Sequence, residues 1–283
     1  MAGDVVIGVV EGSVLRCWRY PLKSAAGEAA DRLTLTPTGV VGDRLWAAID
    51  GDGTVLSAKH PARGERLLQV VARYDDDTGD VTILVPGQPA HGADSAEARA
   101  VVSDWLGRPV MLTREVPPSL ELHRLWPEEH GMIPDWQTSA QPGQEALTPV
   151  AGARSSRFVD FGSVHIVTSG ALARLEHEAG TVVEALRFRP NFVLDLPEDP
   201  LLGQLIEIGG ALLRIELPTP RCIVPSLLQP DVETPVPDLL RVLTRHHRAP
   251  VGGLGEAACF GFYAQVLIGG TVSLGEAVRL RDS

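Results

Sequence analysis

Between residues 5 and 85 no apolar run is long and almost none keeps a helical period; short alternating stretches follow one another, each closed by turn residues. Successive side chains on a strand point to opposite faces, so a run such as RLTLT at 32–36 buries one face and wets the other. VLRCWRY at 14–20 and RLWAAID at 44–50 read the same way, and LLQVVARY and DVTILV, joined by DDDTG, read as a hairpin. A chain written like this is confined to β-rich architectures. The period changes in SAEARAVVSDWLG at 95–107, where Val101, Val102, Trp105 and Leu106 share a helical face. Asp94 or Ser95 can cap that helix and Gly107 can end it.

Residues 115–160 are rich in proline and poor in any period, too long for an ordinary loop inside a compact unit. The expected division is therefore a β-rich unit at 1–115, an irregular linker at 116–160 and a second unit at 161–283. In the second unit SVHIVT at 163–168 reads as a strand and SGALARLEHEAG as an amphipathic helix with Leu172 and Leu175 inward. NFVLDL, QLIEIG and ALLRIELP read as strands, 237–247 as a helix, and FGFYAQVLIGG with TVSLGEAVRL as a closing hairpin. No repeat of 20–50 residues is visible. The fold class expected is α+β, predominantly β, with few helices.

Lys plus Arg number 25 against 36 Asp plus Glu, a formal charge of −11, within an ordinary 44% hydrophobic composition. That balance argues against nucleic acid and anionic membrane surfaces, which need a basic face, yet allows a local pocket for one small anion. The start of the chain has no charged leader before an apolar stretch, and no run of about 18 apolar residues occurs, so a cytoplasmic location is expected. Cys17, Cys222 and Cys259 are widely spaced with no CxxC pair, which argues against a disulfide framework and a structural zinc site. Three cysteines are also too few for a four-cysteine iron–sulfur cluster, so any electrons must come from another protein.

In ELPTPRCIVPS at 216–226, prolines 218, 220 and 225 stop regular pairing and set Arg221 and Cys222 at a strand end. A thiolate there binds soft metals or attacks electrophiles; equally, a free cysteine is often just a small buried apolar residue. In LRFRPNFVL at 186–194, Pro190 biases Arg189 toward an extended backbone. Arg189 suits bidentate phosphate recognition and Asn191 a heterocycle edge, although a structural arginine paired to a surface carboxylate explains the run as well. RYPLKS at 19–24 and GVVGDRLW at 39–46 put Lys23, Ser24 and Arg44 at turns, where they could line a groove. Thr168, Ser169 and Gly170 open a helix and could cradle a phosphate or simply cap it. His246 and His247 are adjacent, unable to form an i, i+4 metal pair, and are expected to face solvent. GxSxG, Walker and HExxH motifs are missing, and no GxGxxG follows a strand.

Taken in order, YPLKS, GVVGDRLWAAID, FVDFGSVHIVTSGAL, FRPNFVL, PRCIVPSLLQPD, FGFYAQV and GTVSLGEAVRL resemble the MOSC family over nearly the whole chain. This group is named after the C-terminal domain of molybdenum cofactor sulfurase, and the layout is most similar to that of the mitochondrial amidoxime-reducing component and its bacterial relatives. The run IVPSLLQPD and the glycines near 252–255 depart from the commoner family pattern. The resemblance implies a MOSC N-terminal β-barrel-like domain and a MOSC β-barrel-like domain with a molybdenum cofactor, a molybdopterin, between them. It implies Lys23, Ser24, Arg44, Thr168, Ser169, Arg189, Asn191, Arg221 and Tyr263 as cofactor-binding residues, with Cys222 as metal ligand and catalytic centre.

The activity implied is oxidoreductase chemistry independent of pyridoxal phosphate: reduction of the N–O bond of N-hydroxylated compounds. Electrons would come from a separate protein of ferredoxin, flavodoxin or cytochrome type with its reductase. Two other activities stay open, a sulfur carrier or transferase holding a persulfide on Cys222 and a non-catalytic carrier of the cofactor.

Overall fold

Burial alternates along the strands as the period requires: Leu33 and Leu35 are buried while Arg32 and Thr34 face solvent. The structure is a computed structural model and describes residues 11–116, 119–150, 157–232, 236 and 238–281. The stretch before Glu11, read above for a leader, lies outside the described residues.

Seven strands of the nine-stranded main sheet form a barrel, with Glu28–Ala29 and Arg248–Pro250 pairing onto it as short extra strands. The seven are β1 (Glu11–Arg19), β2 (Val164–Thr168), β3 (Phe192–Leu194), β4 (Leu205–Ile208), β5 (Ala211–Pro220), β6 (Glu256–Ile268) and β7 (Ala277–Arg281). Their order is β2-β3-β1-β7-β4-β5-β6, and β6 pairs back onto β2, so the sheet closes into a barrel. Closure pairs each barrel strand on both sides. Only β2 and β3 run parallel, with Ile166 opposite Phe192, and such a pair needs a crossover connection. The crossover contains helix α3 (Ser169–Ala179). Val14, Cys17, Ile166, Phe192, Leu213 and Phe262 fill the interior, and burying each large apolar side chain contributes about 1.5–3 kcal/mol. Every residue of β2 is buried because helices α3 and α4 (Leu239–His246) cover the outer face through Leu175, Leu239 and Leu243.

A second core lies among residues 22–110. Strands Ala47–Asp50 and Val110–Thr113 pair with each other, Val71–Tyr74 and Val81–Leu84 form the expected hairpin, and helix α2 (Ala96–Leu106) closes the core with Val102. Ser95 caps α2 by accepting from the Ala98 N–H at 3.0 Å, and Gly107, at φ 68°, ends it. The short helix α1 (Pro61–Gly64) runs into a 3-10 turn at Glu65–Gln69, where a strand beginning LLQ was expected.

Strand pairing links the two units expected on either side of residue 115: β1 sits between β3 and β7, and Arg32–Thr36 pairs with Gly270–Ser273. Alternation fixes which face of a strand is buried but not which edge it joins. Two expectations about single segments are corrected. The segment expected to be an irregular linker carries an antiparallel hairpin, Glu121–Leu125 with Glu145–Pro149, packed through Leu122 against Ala47, Val55 and Phe158. Finally, β6 and the segments after it form no closing hairpin: Gly270–Ser273 pairs with Arg32–Thr36 and β7 with β1 and β4. Among the described residues no helix is long and apolar enough to cross a membrane.

Candidate functional site

The backbone turns away after β1 at Tyr20-Pro21. Tyr20 is fully buried, its hydroxyl donates to the Pro190 carbonyl at 3.1 Å, and its ring carries two guanidinium groups, Arg44 at 4.6 Å and Arg189 at 4.4 Å. Beneath them Asp43, also fully buried, accepts from the Tyr20 N–H at 2.8 Å and pairs with Arg44, which donates on to the Arg189 carbonyl at 3.2 Å. Ser24, Arg44 and Arg189 have φ of 60°, 49° and 56°, so Arg189 is left-handed and not extended as Pro190 led one to expect: contacts with Tyr20 and Arg44 override the local preference. This left-handed region costs an ordinary residue about 1–3 kcal/mol and persists where the surroundings impose it. All three line one cavity.

Five cations border that cavity, Lys23, Arg44, Lys59, Arg189 and Arg221, against one lining carboxylate, Asp160. Lys23 donates to Asp160 at 2.9 Å and to the Phe158 carbonyl at 3.0 Å, and Lys59 lies 2.7 Å from the same carboxylate. Burial pulls the Lys23 ammonium down to about 8 in spite of Asp160. Burial alone would raise Asp160, but Lys23 and Lys59 hold it well below the usual carboxylate range. Burial also lowers the Arg189 guanidinium to about 10. Nη1 of Arg189 and Nε of Arg221 are buried with no hydrogen-bond partner. A guanidinium only donates, and a buried unmade donor costs about 1–3 kcal/mol. Among the described residues these two donors await an acceptor, and an anionic ligand fits the cavity.

That charge pattern has a pH consequence. A bound anion raises the Lys23 pKa, so affinity is full while Lys23 is protonated in the free protein and falls as pH rises through about 8. Titrating the protein with sulfate between pH 6 and 10 should show a plateau below that value and a loss of up to about tenfold per pH unit above it. A flat profile, or one that improves with pH, contradicts this assignment of Lys23.

Cys222 lies on the loop after β5, before the 3-10 turn Val224–Ser226. Its thiol is free and half-buried, rests against Ala58, Leu68 and Val224, and lines both the cationic cavity and a second cleft. Cys17 and Cys259, by contrast, are buried and pushed by that burial up to about 12. Arg221 donates to the Phe188 carbonyl at 2.9 Å and reaches Nε2 of His165 at 3.5 Å. Because the guanidinium cannot accept, Nε2 is the acceptor, and Nδ1–H faces the Arg189 carbonyl at 3.4 Å. Burial, reinforced by Arg221, keeps His165 well below its ordinary value and neutral. Gly261, at φ 71°, makes room for this ring: a Cβ there would stand 2.8 Å from Nε2 and 2.5 Å from the Ile166 carbonyl. No group of three or more His, Cys, Asp or Glu side chains among the described residues could hold a metal ion.

The MOSC domain matches residues 153–279 and the MOSC N-terminal beta barrel domain matches residues 11–106. The chain belongs to the MOSC family. Mitochondrial amidoxime-reducing component 1 of Homo sapiens is 24% identical over 305 residues, covering 95% of this chain and 83% of that one. Mitochondrial amidoxime reducing component 2 of Bos taurus is 24% identical over 239 residues, 78% of this chain and 67% of that one. Among solved structures, the YuaD protein from Bacillus subtilis has a TM-score of 0.47 at 13% identity, with 98% of each chain covered.

In this MOSC chain one cavity gathers Lys23, Ser24, Arg44, Arg189, Asn191, Arg221, Cys222 and Tyr263. Thr168 and Ser169 are elsewhere. Thr168 is fully buried, caps α3 by accepting from the Ala171 N–H at 3.1 Å and donates to Asp199 at 2.7 Å; Ser169 donates to Asp195 at 2.9 Å. The capping role is present, and the two carboxylates at that helix start oppose an anion there. Asn191 lines the cavity, yet its Oδ1 already accepts from the His165 N–H at 3.0 Å and its Nδ2 donates to the Trp18 carbonyl at 3.2 Å, tying β2 to β1. His246 is exposed, whereas His247 is not solvent-facing: it contacts Glu178 at 2.5 Å and stacks edge-on against Phe260. The sequence pattern missed Ser57, Lys59, Asp160 and His165, all in the cavity wall. SAKH at 57–60 has no motif, and only its position after the apolar run TVL hinted at a strand-end loop.

Proposed function

We propose that this MOSC protein holds a molybdenum cofactor in the cationic cavity, with Cys222 as the protein's ligand to the metal, and reduces N-hydroxylated compounds using electrons from a separate redox protein. The position of Cys222 carries this reading: a free thiol stands where a cavity rich in unpaired donors meets a second cleft. A lone thiolate cannot enclose a metal, so a metal seated there must bring its other ligands with it. A phosphorylated pyranopterin dithiolene does so and supplies, when bound, a two-electron centre able to take an oxygen atom from substrate. Family membership and the names of the two mammalian relatives support a molybdenum-cofactor-related function and this reaction class.

The chain's own residues have distinct tasks. Lys23, Ser24, Arg44 and Arg189 would bind the phosphate, and their strained, stacked geometry holds them in place before it arrives. Converting N–OH to N–H consumes two electrons and two protons and releases water. Lys59 and Tyr263 line both cavities beside Cys222 and can pass protons to the departing oxygen; burial keeps the Tyr263 phenol protonated. The acidic balance of the chain argues against nucleic-acid and anionic-membrane partners. Native protein should contain molybdenum and pterin and should reduce members of a hydroxylamine panel under a strong artificial reductant. Cofactor-loaded protein that turns over none of them would leave a carrier, not a reductase.

A further inference from the structure

The cleft beyond Cys222 has a wall that lies largely outside both family matches. Residues between the two matched spans supply its Arg124, Trp126, Met132 and Trp136, and Phe161 completes it. Trp126 is buried and its ring carries the Arg124 guanidinium at 4.5 Å. Nε of Arg124 donates to Thr148 at 3.2 Å, while its terminal nitrogens have no partner among the described residues. Phe161 leaves 47% of its surface to water, unusual for a ring with an apolar wall beside it. The charged groups of the cleft are Lys59, Arg124 and Arg221 against Asp160, which Lys23 and Lys59 already neutralise.

We infer that this cleft binds planar aromatic compounds that are neutral or acidic, the ring held by Trp136 and Phe161 and an acidic group by Arg124. An aromatic body gains from burial and ring contacts, a carboxylate gains a forked partner in Arg124, and an ammonium would meet surplus positive charge. Residues 124–137 and 147–149 therefore set which molecules reach Cys222. That the bound compound is also a substrate, with its N-hydroxyl end toward Cys222, rests on the function proposed above; the binding itself does not.

Calorimetry with the protein as purified, using 2-naphthoate and 2-naphthylmethylammonium as probes, tests the site. The carboxylate should bind at least about tenfold more tightly. Phe161→Ala, an exposed position that folding tolerates, and Arg124→Gln should each weaken naphthoate binding by about three- to tenfold. Equal affinities for the two probes, or variants that bind naphthoate like the parent, overturn the assignment. Under reducing conditions the kcat/KM ratio of 4-(hydroxyamino)benzoate to N-methylhydroxylamine should fall in both variants. If naphthoate binds as expected but neither hydroxylamine is reduced, the cleft stands and the proposed reaction falls.

Discussion

Replacing Cys222 by alanine should strip molybdenum from the protein and lower N-hydroxy reduction by more than about 100-fold, beyond the range for changes that merely reorient a metal ligand. The fold should survive, because the thiol is half-buried and its loss costs no more than about 1 kcal/mol. Pterin phosphate should still bind, since the cationic cavity meets it with groups other than the thiol. The ratio of metal to pterin is therefore the sensitive quantity: it collapses in Cys222→Ala and remains at the parent value in Cys17→Ala, whose sulfur lies inside the barrel core. Serine should not rescue the metal, because an alcohol is a hard and weakly acidic ligand. A parent protein whose intact mass shows an extra sulfur on Cys222, with molybdenum content unaffected by the substitution, would favour the sulfur-carrier alternative instead.

How far the site could be read from the sequence follows from the range of each interaction. Cys222 was legible as a strand-end residue because prolines cluster near it, although β5 pairs with shifted register through Pro218 to Pro220 before it ends. The helix from Ser169 was legible from its local period, but its phosphate role was not testable locally. The two aspartates that oppose it, Asp195 and Asp199, come from a loop 26 and 31 residues further along. Strand identity was read from alternation, yet membership of β1 in the barrel depends on the register of Cys17 against Phe192, which no local pattern contains. Lys59, Asp160 and His165 belong to the same class: ordinary residue types in short runs, meaningful only once closure of the barrel brings residues 23, 59 and 160 together. The hairpin Glu121–Leu125 with Glu145–Pro149 was hidden by its prolines, which flank the paired residues or, as with Pro149, sit at a strand end.

Asp43 was overlooked beside the more conspicuous Arg44, although the cavity depends on it. Its carboxylate satisfies the Tyr20 N–H and the Arg44 guanidinium together, and Tyr20 in turn carries Arg189. Asp43→Ala leaves a buried amide unpaired and removes the counter-charge of Arg44. Removing one partner of a buried pair costs about 3–5 kcal/mol, and the lower end applies here because Arg44 keeps 17% exposure. Thermal unfolding should shift down by roughly 6–12 °C for a chain of this size. Asp43→Asn separates the two tasks. Its side-chain oxygen can still accept from Tyr20 N–H, so stability should fall by less than half as much, while Arg44 loses its anchor and its aim into the cavity. Sulfate affinity should then drop in Asp43→Asn even though the fold is nearly intact, and the strained φ of 49° at Arg44 should relax. If Asp43→Ala unfolds within about 2 °C of the parent, the carboxylate is not holding the cavity, and the organisation of Tyr20, Arg44 and Arg189 must have another source.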